Sequence, residues 1–467
     1  SWIVSNPSTA FLVVTQSGTS GKPIITSAYG SGSAPLIKIS TATNKSVISI
    51  SGKSFLVFDN LNIQHHSSVY YPYSRNGFYM NNICHDITLT NNEISNIPST
   101  AILSDGDSYN ITVGDINATH VATSSLFSNH IHHFGYAGII LEGVNPETME
   151  SNFNVSFNYI HDATRTAAGD NAYGIQFTSN VASSSWPRKG IARYNRIENI
   201  RTWTALGCHG GSYLYFLDNY IKNFGKSGIA LNSTSDVGTL LPIADHLYAE
   251  GNTIEQPSSG WILNNENAFI SENSLVTATN ISIRNNKIFY SSRPESGNWI
   301  AIRLENADGA IISRNQIYNG AKSKGRDAIY LGSLYSDGEK RITIDANFIS
   351  EWGPGIGLSG SGITGTIIIS NNIVNKPEGH ASLVIHHDNL TSNSLLKIYN
   401  NILLQSEFGK CFYSDFGIDR GATVIARNNI FGRTTPGYLL YWYWGGNIEG
   451  DFTCSNNIYY NSTEDEA

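Results

Sequence analysis

Two short stretches decide the fold: Asn195-Arg196-Ile197 and, 24 residues later, Asn219-Tyr220-Ile221. The same Asn-x-Ile element recurs with Asn at 92, 129, 158, 252, 286, 315, 347, 371, 400, 428 and 456, and a variant opens the series at Asn60-Leu61-Asn62-Ile63. The spacing runs from 24 to 37 residues. A fixed unit repeated at such a period is the mark of a solenoid, in which each unit buries its apolar face only by stacking on its neighbours.

Each element follows a short alternating strand, such as Ile87-Thr88-Leu89, Ile281-Ser282-Ile283 or Ile342-Thr343-Ile344. Alternation sends one set of side chains inward and the other outward. After most elements comes a second strand of the form Gly/Ala-Ile-x-Leu-x, as in Gly138-Ile139-Ile140-Leu141-Glu142, Gly174-Ile175-Gln176-Phe177-Thr178 and Ala301-Ile302-Arg303-Leu304-Glu305. A minimum period of 24 fits one coil of three strands and three turns, and longer periods are coils with loop insertions. Leucine-rich repeats would show Leu-x-x-Leu-x-Leu, and a propeller blade needs four antiparallel strands. The expected fold is therefore all-β, a right-handed parallel β-helix of about 13–15 coils. Residues 1–50 read as an opening segment with the first coils, and 51–467 as one β-helical domain. The repeated asparagines read as turn residues bonding the backbone of neighbouring coils, which is architecture and not catalysis.

The opening segment runs Ser17-Gly18-Thr19-Ser20-Gly21-Lys22-Pro23-Ile24 into Tyr29-Gly30-Ser31-Gly32-Ser33-Ala34-Pro35-Leu36-Ile37. In this the chain resembles the bacterial and phage proteins of the pectate-lyase-like β-helix superfamily, which includes carbohydrate-active enzymes and phage tailspikes. The resemblance covers nearly the whole chain and implies the fold and a carbohydrate partner. It carries over no catalytic residue. The aspartate-rich calcium set and arginine motif of pectate lyases, the Lys…Arg coil motif of alginate and dermatan lyases, and the paired aspartates and Gly-His-Gly of polygalacturonases have no counterpart here.

Composition narrows the partner. The net charge is −8 and charged residues make up only 14% of the chain, with no Lys/Arg-rich run. Phosphate binding needs a basic footprint, so nucleic acid is excluded. The longest apolar stretches, such as Tyr438 to Trp444, are too short to span a bilayer. The start at Ser1 reads as a mature or trimmed form, and a secreted, extracellular protein is expected. Eight Asn-x-Ser/Thr sequons fall at Asn44, Asn110, Asn117, Asn154, Asn232, Asn280, Asn389 and Asn461, a number to be expected in so Asn-rich a chain. Cys84, Cys208, Cys411 and Cys454 show no metal spacing. The coil register sets Cys208 and Cys411 roughly 33 Å apart, beyond disulfide reach, so four free thiols are expected.

Read down the stack, the outward x positions are expected to be Tyr79 and Asn81; Ile102 and Ser104, with Asp105 beyond; Ile140 and Glu142; Gln176 and Thr178; Leu206 and Cys208, with His209 beyond; Ala230 and Asn232; Ile262 and Asn264; Arg303 and Glu305; Tyr330 and Gly332; Gly357 and Ser359; Val384 and His386; and Tyr413 and Asp415. A polar stripe with carboxylates and aromatics matches a polysaccharide groove, although any solvated face is polar. Long insertions at His161–Tyr173, Phe289–Ala301 and Tyr318–Ala328 would wall it.

Two charged clusters lie beside these insertions. One has Glu142 and Asp170 as catalytic candidates, with Arg165, Trp203 and His209 as substrate-binding residues; the other has Glu305 as the catalytic candidate, with Arg303, Arg326 and Asp327. Glu142 and Glu305 are five coils apart, about 24 Å, too far to act as one pair. Glycoside hydrolysis needs two carboxyls about 5 Å or about 6.5–9.5 Å apart. Glu142 with Asp170, or Glu305 with Asp327, are the pairs to test. Asp105 and Asp107 flank Gly106 and read as turn residues. His130, His132 and His133 are spaced like a metal cluster, but His133 faces away from the other two, so no metal is assigned. His386-His387-Asp388 forms a polar cluster remote from the insertions.

The leading functional expectation is an endo-acting glycoside hydrolase on a polysaccharide, needing no cofactor. A lyase working by β-elimination would use Arg165, Arg303 or Arg326, with Ca²⁺ or arginines neutralising a uronate. A non-catalytic adhesin would use the aromatics, which are 11% of residues. The chain would be a monomer or, as a tailspike, a homotrimer.

Overall fold

The computed structural model of the protein describes residues 2–4, 10–67, 69, 75–105, 107–144, 149–165, 170–178, 186–232, 244–256, 266–291, 298–320, 327–332, 341–359, 363–375, 381–385, 390–405, 409–414, 422–437, 439–442 and 451–462. Regular structure among them is entirely β, and the strand ladders are parallel. The chain divides into two compact units, residues 1–243 and 244–467.

In the first unit each coil gives three strands, and each strand pairs with the equivalent one in the next coil. Strands Glu93–Ile97, His130–Phe134, Tyr159–His161, Arg196–Ile200 and Tyr220–Phe224 form one ladder. A second holds Thr100–Ser104, Ala137–Glu142, Tyr173–Thr178, Thr204–His209 and Ser227–Asn232. The third holds Tyr109–Gly114, Phe153–Ser156, Arg188–Arg193 and Gly211–Leu217. In the second unit the same logic stacks Lys287–Tyr290, Gln316–Asn319, Phe348–Ser350, Ile373–Asn375 and Ile402–Gln405.

Register puts like side chains on like. Ile102, Ile139, Ile175, Leu206 and Ile229 form one continuous internal column, each fully buried. Ile270, Ile302, Ile329, Ile356 and Leu383 form its counterpart in the second unit. Burying each such side chain stabilises the fold by about 1.5–3 kcal/mol, which no single coil could gain alone. Aromatic rings fill the wider parts of the bore: Phe153, Phe177 and Phe216 in the first unit, and Phe269 against Tyr290, Trp299 and Trp352 in the second.

The asparagine ladder is present in both units. Asn92, Asn129, Asn158, Asn195 and Asn219 are buried; the side-chain oxygen of Asn92 accepts from the Leu61 N–H, and each of the others accepts from the asparagine one coil earlier. Each Nδ2 also donates to a backbone carbonyl, for example Asn195 to Val155 and Asn219 to Ala192. Buried amides are thus satisfied by their own neighbours, as burial requires.

The last four coils depart from the expected register. The ladder residues there are Asn372, Asn401, Asn429 and Asn457, not Asn371, Asn400, Asn428 and Asn456. The first Asn of each doublet takes the left-handed turn conformation, with φ of 56–58°. In earlier coils that slot belongs to Asn91, Tyr194, Asn285 or Arg314. Because side chains alternate, a one-residue slip exchanges inside and outside. Val374, Leu403 and Phe431 therefore face the core, while Ile373 and Ile458 are exposed.

The outward strand positions need three corrections. Ile102 and Ser104 point inward, as do Leu206 and Cys208, all fully buried. The outward residues of those coils are Leu103 with Asp105, and Gly207 with His209. In the coil expected to present Ile262 and Asn264, which lie outside the described residues, the outward strand position is Ser271, paired with Arg303. All four cysteines are free thiols, three of them buried.

Candidate active site

The second ladder of the first unit presents two parallel rows outward. One is largely apolar: Leu103, Ile140, Gln176, Gly207 and Ala230. Beside it Ala137, Ile140 and Tyr173 pack together with Leu103, Tyr136 and Trp203 into an apolar and aromatic wall. The other row is polar and half-buried: Asp105, Glu142, Thr178, His209 and Asn232. Strand alternation produces both rows, since each reads every second residue of the same strands.

The register aligns Ser104 with Leu141, so Asp105 and Glu142 are neighbours one coil apart. At the spacing of adjacent strands their backbones are about 4.8 Å apart. The Tyr79 hydroxyl donates to Asp105 Oδ2 at 2.9 Å. Burial, then the hydrogen bond to Asp105 and its charge, push the Tyr79 phenol up to about 12, and the charge of Glu142 adds to this. Both carboxylates therefore act on the same phenol.

The expected pairing of Glu142 with Asp170 is not what the fold makes. Arg165 takes Asp170 in an ion pair of 2.6 Å and also donates to the Asn171 carbonyl. Asp170 lies three residues before Tyr173, which pairs with Ala137 at the start of the strand that Glu142 ends. Five residues of strand, about 17 Å at full rise, separate those ends, beyond the window for a catalytic pair. Arg165 is thereby a loop staple, its guanidinium 5.9 Å from the Tyr136 ring. Trp203 joins the wall, with the Lys226 ammonium 3.8 Å from its ring centre. His209 stands two coils beyond Glu142 in the same row, its ring edge-on to Tyr173 at 5.7 Å.

In the second unit Arg303 and Glu305 form an ion pair of 2.8 Å, both largely buried, with Tyr330 5.8 Å from the guanidinium. Asp327 is 1% exposed and its carboxyl lies against Gly357, where even a Cβ would stand 2.3–2.5 Å from it. The register sets Asp327 opposite Ile300, five residues along the strand from Glu305. Burial also removes Asp327 from contact with a polymer, and Glu305 is tied to Arg303. Arg326 and His386-His387-Asp388 lie outside the described residues.

Asp105, which the sequence assigns to a turn, is the residue that the register brings beside Glu142. Its signal was present: Ala101-Ile102-Leu103-Ser104-Asp105 is the outward-strand motif with Ser104 in the place of Leu.

Residues 204–403 match the family described as "Right handed beta helix region". The fold is a right-handed parallel β-helix. No curated protein matches the sequence. Among solved structures, a mutant tailspike protein of E. coli bacteriophage HK620, in complex with a hexasaccharide, is 10% identical, with a TM-score of 0.42 over 98% of this chain and 71% of that one. A GH136 lacto-N-biosidase from Eubacterium ramulus is 12% identical, with a TM-score of 0.33, covering 98% of this chain and 60% of that one. AlyGC, a PL6 family alginate lyase, is 9% identical, with a TM-score of 0.19 and coverage of 98% and 97%. The fold rests on the family match and the strand pairings, and the chemistry on the residues above.

Proposed function

We propose that the protein is a glycoside hydrolase acting on a polysaccharide along the outer face of the first unit, with Asp105 and Glu142 as its carboxylate pair. The observation that carries this reading is their placement side by side in adjacent coils. With backbones about 4.8 Å apart, the two carboxyls are within reach of the separation of about 5 Å that retaining enzymes use. Asp105, held by Tyr79, is the nucleophile. Glu142, beside the apolar wall, is the acid and base. In the first step Glu142 protonates the glycosidic oxygen while Asp105 attacks the anomeric carbon and the bond to the leaving sugar breaks. In the second, Glu142 removes a proton from water, which displaces Asp105.

The apolar row beside the polar row supports a saccharide, since a sugar ring offers C–H faces to aromatics and hydroxyls to polar groups. A polymer of this kind is met outside the cell, which agrees with a secreted protein. Digestion of candidate polysaccharides, followed by reducing-end assay and NMR of the first-formed anomer, tests the proposal. New reducing ends with retained configuration, lost in Glu142→Gln and Asp105→Asn, are expected. Product absorbing near 232 nm would mark elimination instead. Intact polymer that is retained on the protein would leave a binding module, the reading the aromatic wall favours second.

A further inference from the structure

The first ladder of the first unit carries a cluster that the proposed hydrolysis does not use. Glu93 pairs with His130 in the next coil, His132 lies two residues along the same strand, and His132 pairs with His161 one coil further. The ligand atoms of Glu93, His130 and His132 lie within 4.8 Å of one another. His130 Nε2 is 2.8 Å from His161 Nε2, and His132 Nε2 is 3.6 Å from a Glu93 oxygen. The three imidazole rings sit 4.4–5.2 Å apart, centre to centre.

We infer that Glu93, His130, His132 and His161 form a binding site for a zinc-type divalent transition metal that staples three successive coils.

Three features carry this. The donor set, three imidazoles and one carboxylate, suits such an ion and not calcium or magnesium, which take oxygen ligands. Tetrahedral Zn–N bonds of about 2.0–2.1 Å place ligand atoms about 3.3 Å apart, and the His130–His161 and His132–Glu93 separations of 2.8 and 3.6 Å bracket that value. The groups behind the ligands are also in place, as metal sites require. His161 Nδ1 bonds Asp162 at 2.7 Å, which leaves Nε2 as the ligating lone pair, and Asn199 holds that aspartate in turn. Asn62 donates to Glu93 Oε2, and His132 Nδ1 meets His133 Nδ1 at 2.7 Å.

His132 Nε2 is itself buried and makes no hydrogen bond. The sequence reading set the metal aside because His133 faces away. The residue that completes the cluster is His161, 31 positions after His130, and only coil stacking brings it there.

The test uses the full chain stripped with a chelator and titrated with zinc in competition with a chromophoric chelator. One zinc per chain and a raised melting temperature are expected, with at least 100-fold weaker binding in His132→Gln and in His161→Gln. Circular dichroism would first establish that each variant keeps its β-helix, and Co²⁺ loading, read by its visible d–d bands, gives a second measurement on the unaltered chain. Absence of zinc binding by the wild type, or equal binding by the wild type and both variants, would overturn the site and leave a network of hydrogen-bonded imidazoles. Polysaccharide cleavage rests on other residues and is read separately.

Discussion

The outer faces of the two units use one strand motif and reach opposite results. In the first, Asp105 and Glu142 stand in adjacent coils of one polar row. In the second, Arg303 and Glu305 stand two residues apart on one strand and neutralise each other, while Asp327 is pressed onto Gly357. An acid next to a base becomes a staple. Two acids directly opposite each other are destabilising, and arrangements that cost stability concentrate where chemistry is done.

The largest expected effect separates the two faces directly. Glu142→Gln and Asp105→Asn should each lower the rate of polysaccharide cleavage by about 10²–10⁴-fold, the usual worth of such groups. Glu305→Gln should change it only a few-fold. The reverse ranking, measured by reducing-end release, would move the active site to the second unit.

The next effect concerns acid sensitivity of the first unit. His65 is 1% exposed, and burial followed by the charge of His66 lowers it to about 4 from 6.5. As pH falls below 6.5 the unfolded chain takes up a proton that the folded chain refuses until about 4. Stability should therefore fall across that window, by up to about 3 kcal/mol, and change no further from this group below it. Denaturant melts of the wild type and His65→Gln across pH 7 to 4 should differ in slope; parallel curves would refute the assignment.

The register of the second unit is tested by a smaller difference. Asn372→Ala strands buried backbone groups and should cost about 1–3 kcal/mol. Asn371→Ala leaves an alanine at φ 56° and should cost about 1 kcal/mol. Equal costs, or the reverse order, would restore the register first expected. The smallest effect is the most diagnostic of function: Glu142→Gln should raise stability by roughly 0.5 kcal/mol by relieving its repulsion with Asp105, even as it removes activity.

The sequence by itself determined the solenoid, because Asn-x-Ile spacing and strand alternation are local signals repeated coil after coil. It also located Glu142, Arg303 and Glu305 on outward positions, since intact Ile-x-Leu motifs frame them. Where the motif was broken, reading failed. Ser104 and Cys208 are small residues in internal columns, so each was placed outside and its true outward neighbour, Asp105 or His209, was set just beyond the strand. Asn doublets hid a one-residue slip for the same reason: either Asn satisfies the pattern, and only packing of Val374 or Leu403 against the core chooses between them. Which side chains meet across coils was decided by tertiary structure alone. Asp105 with Glu142, and His130 with His161, are separated by whole coils of variable length, and stacking, not spacing along the chain, sets them side by side.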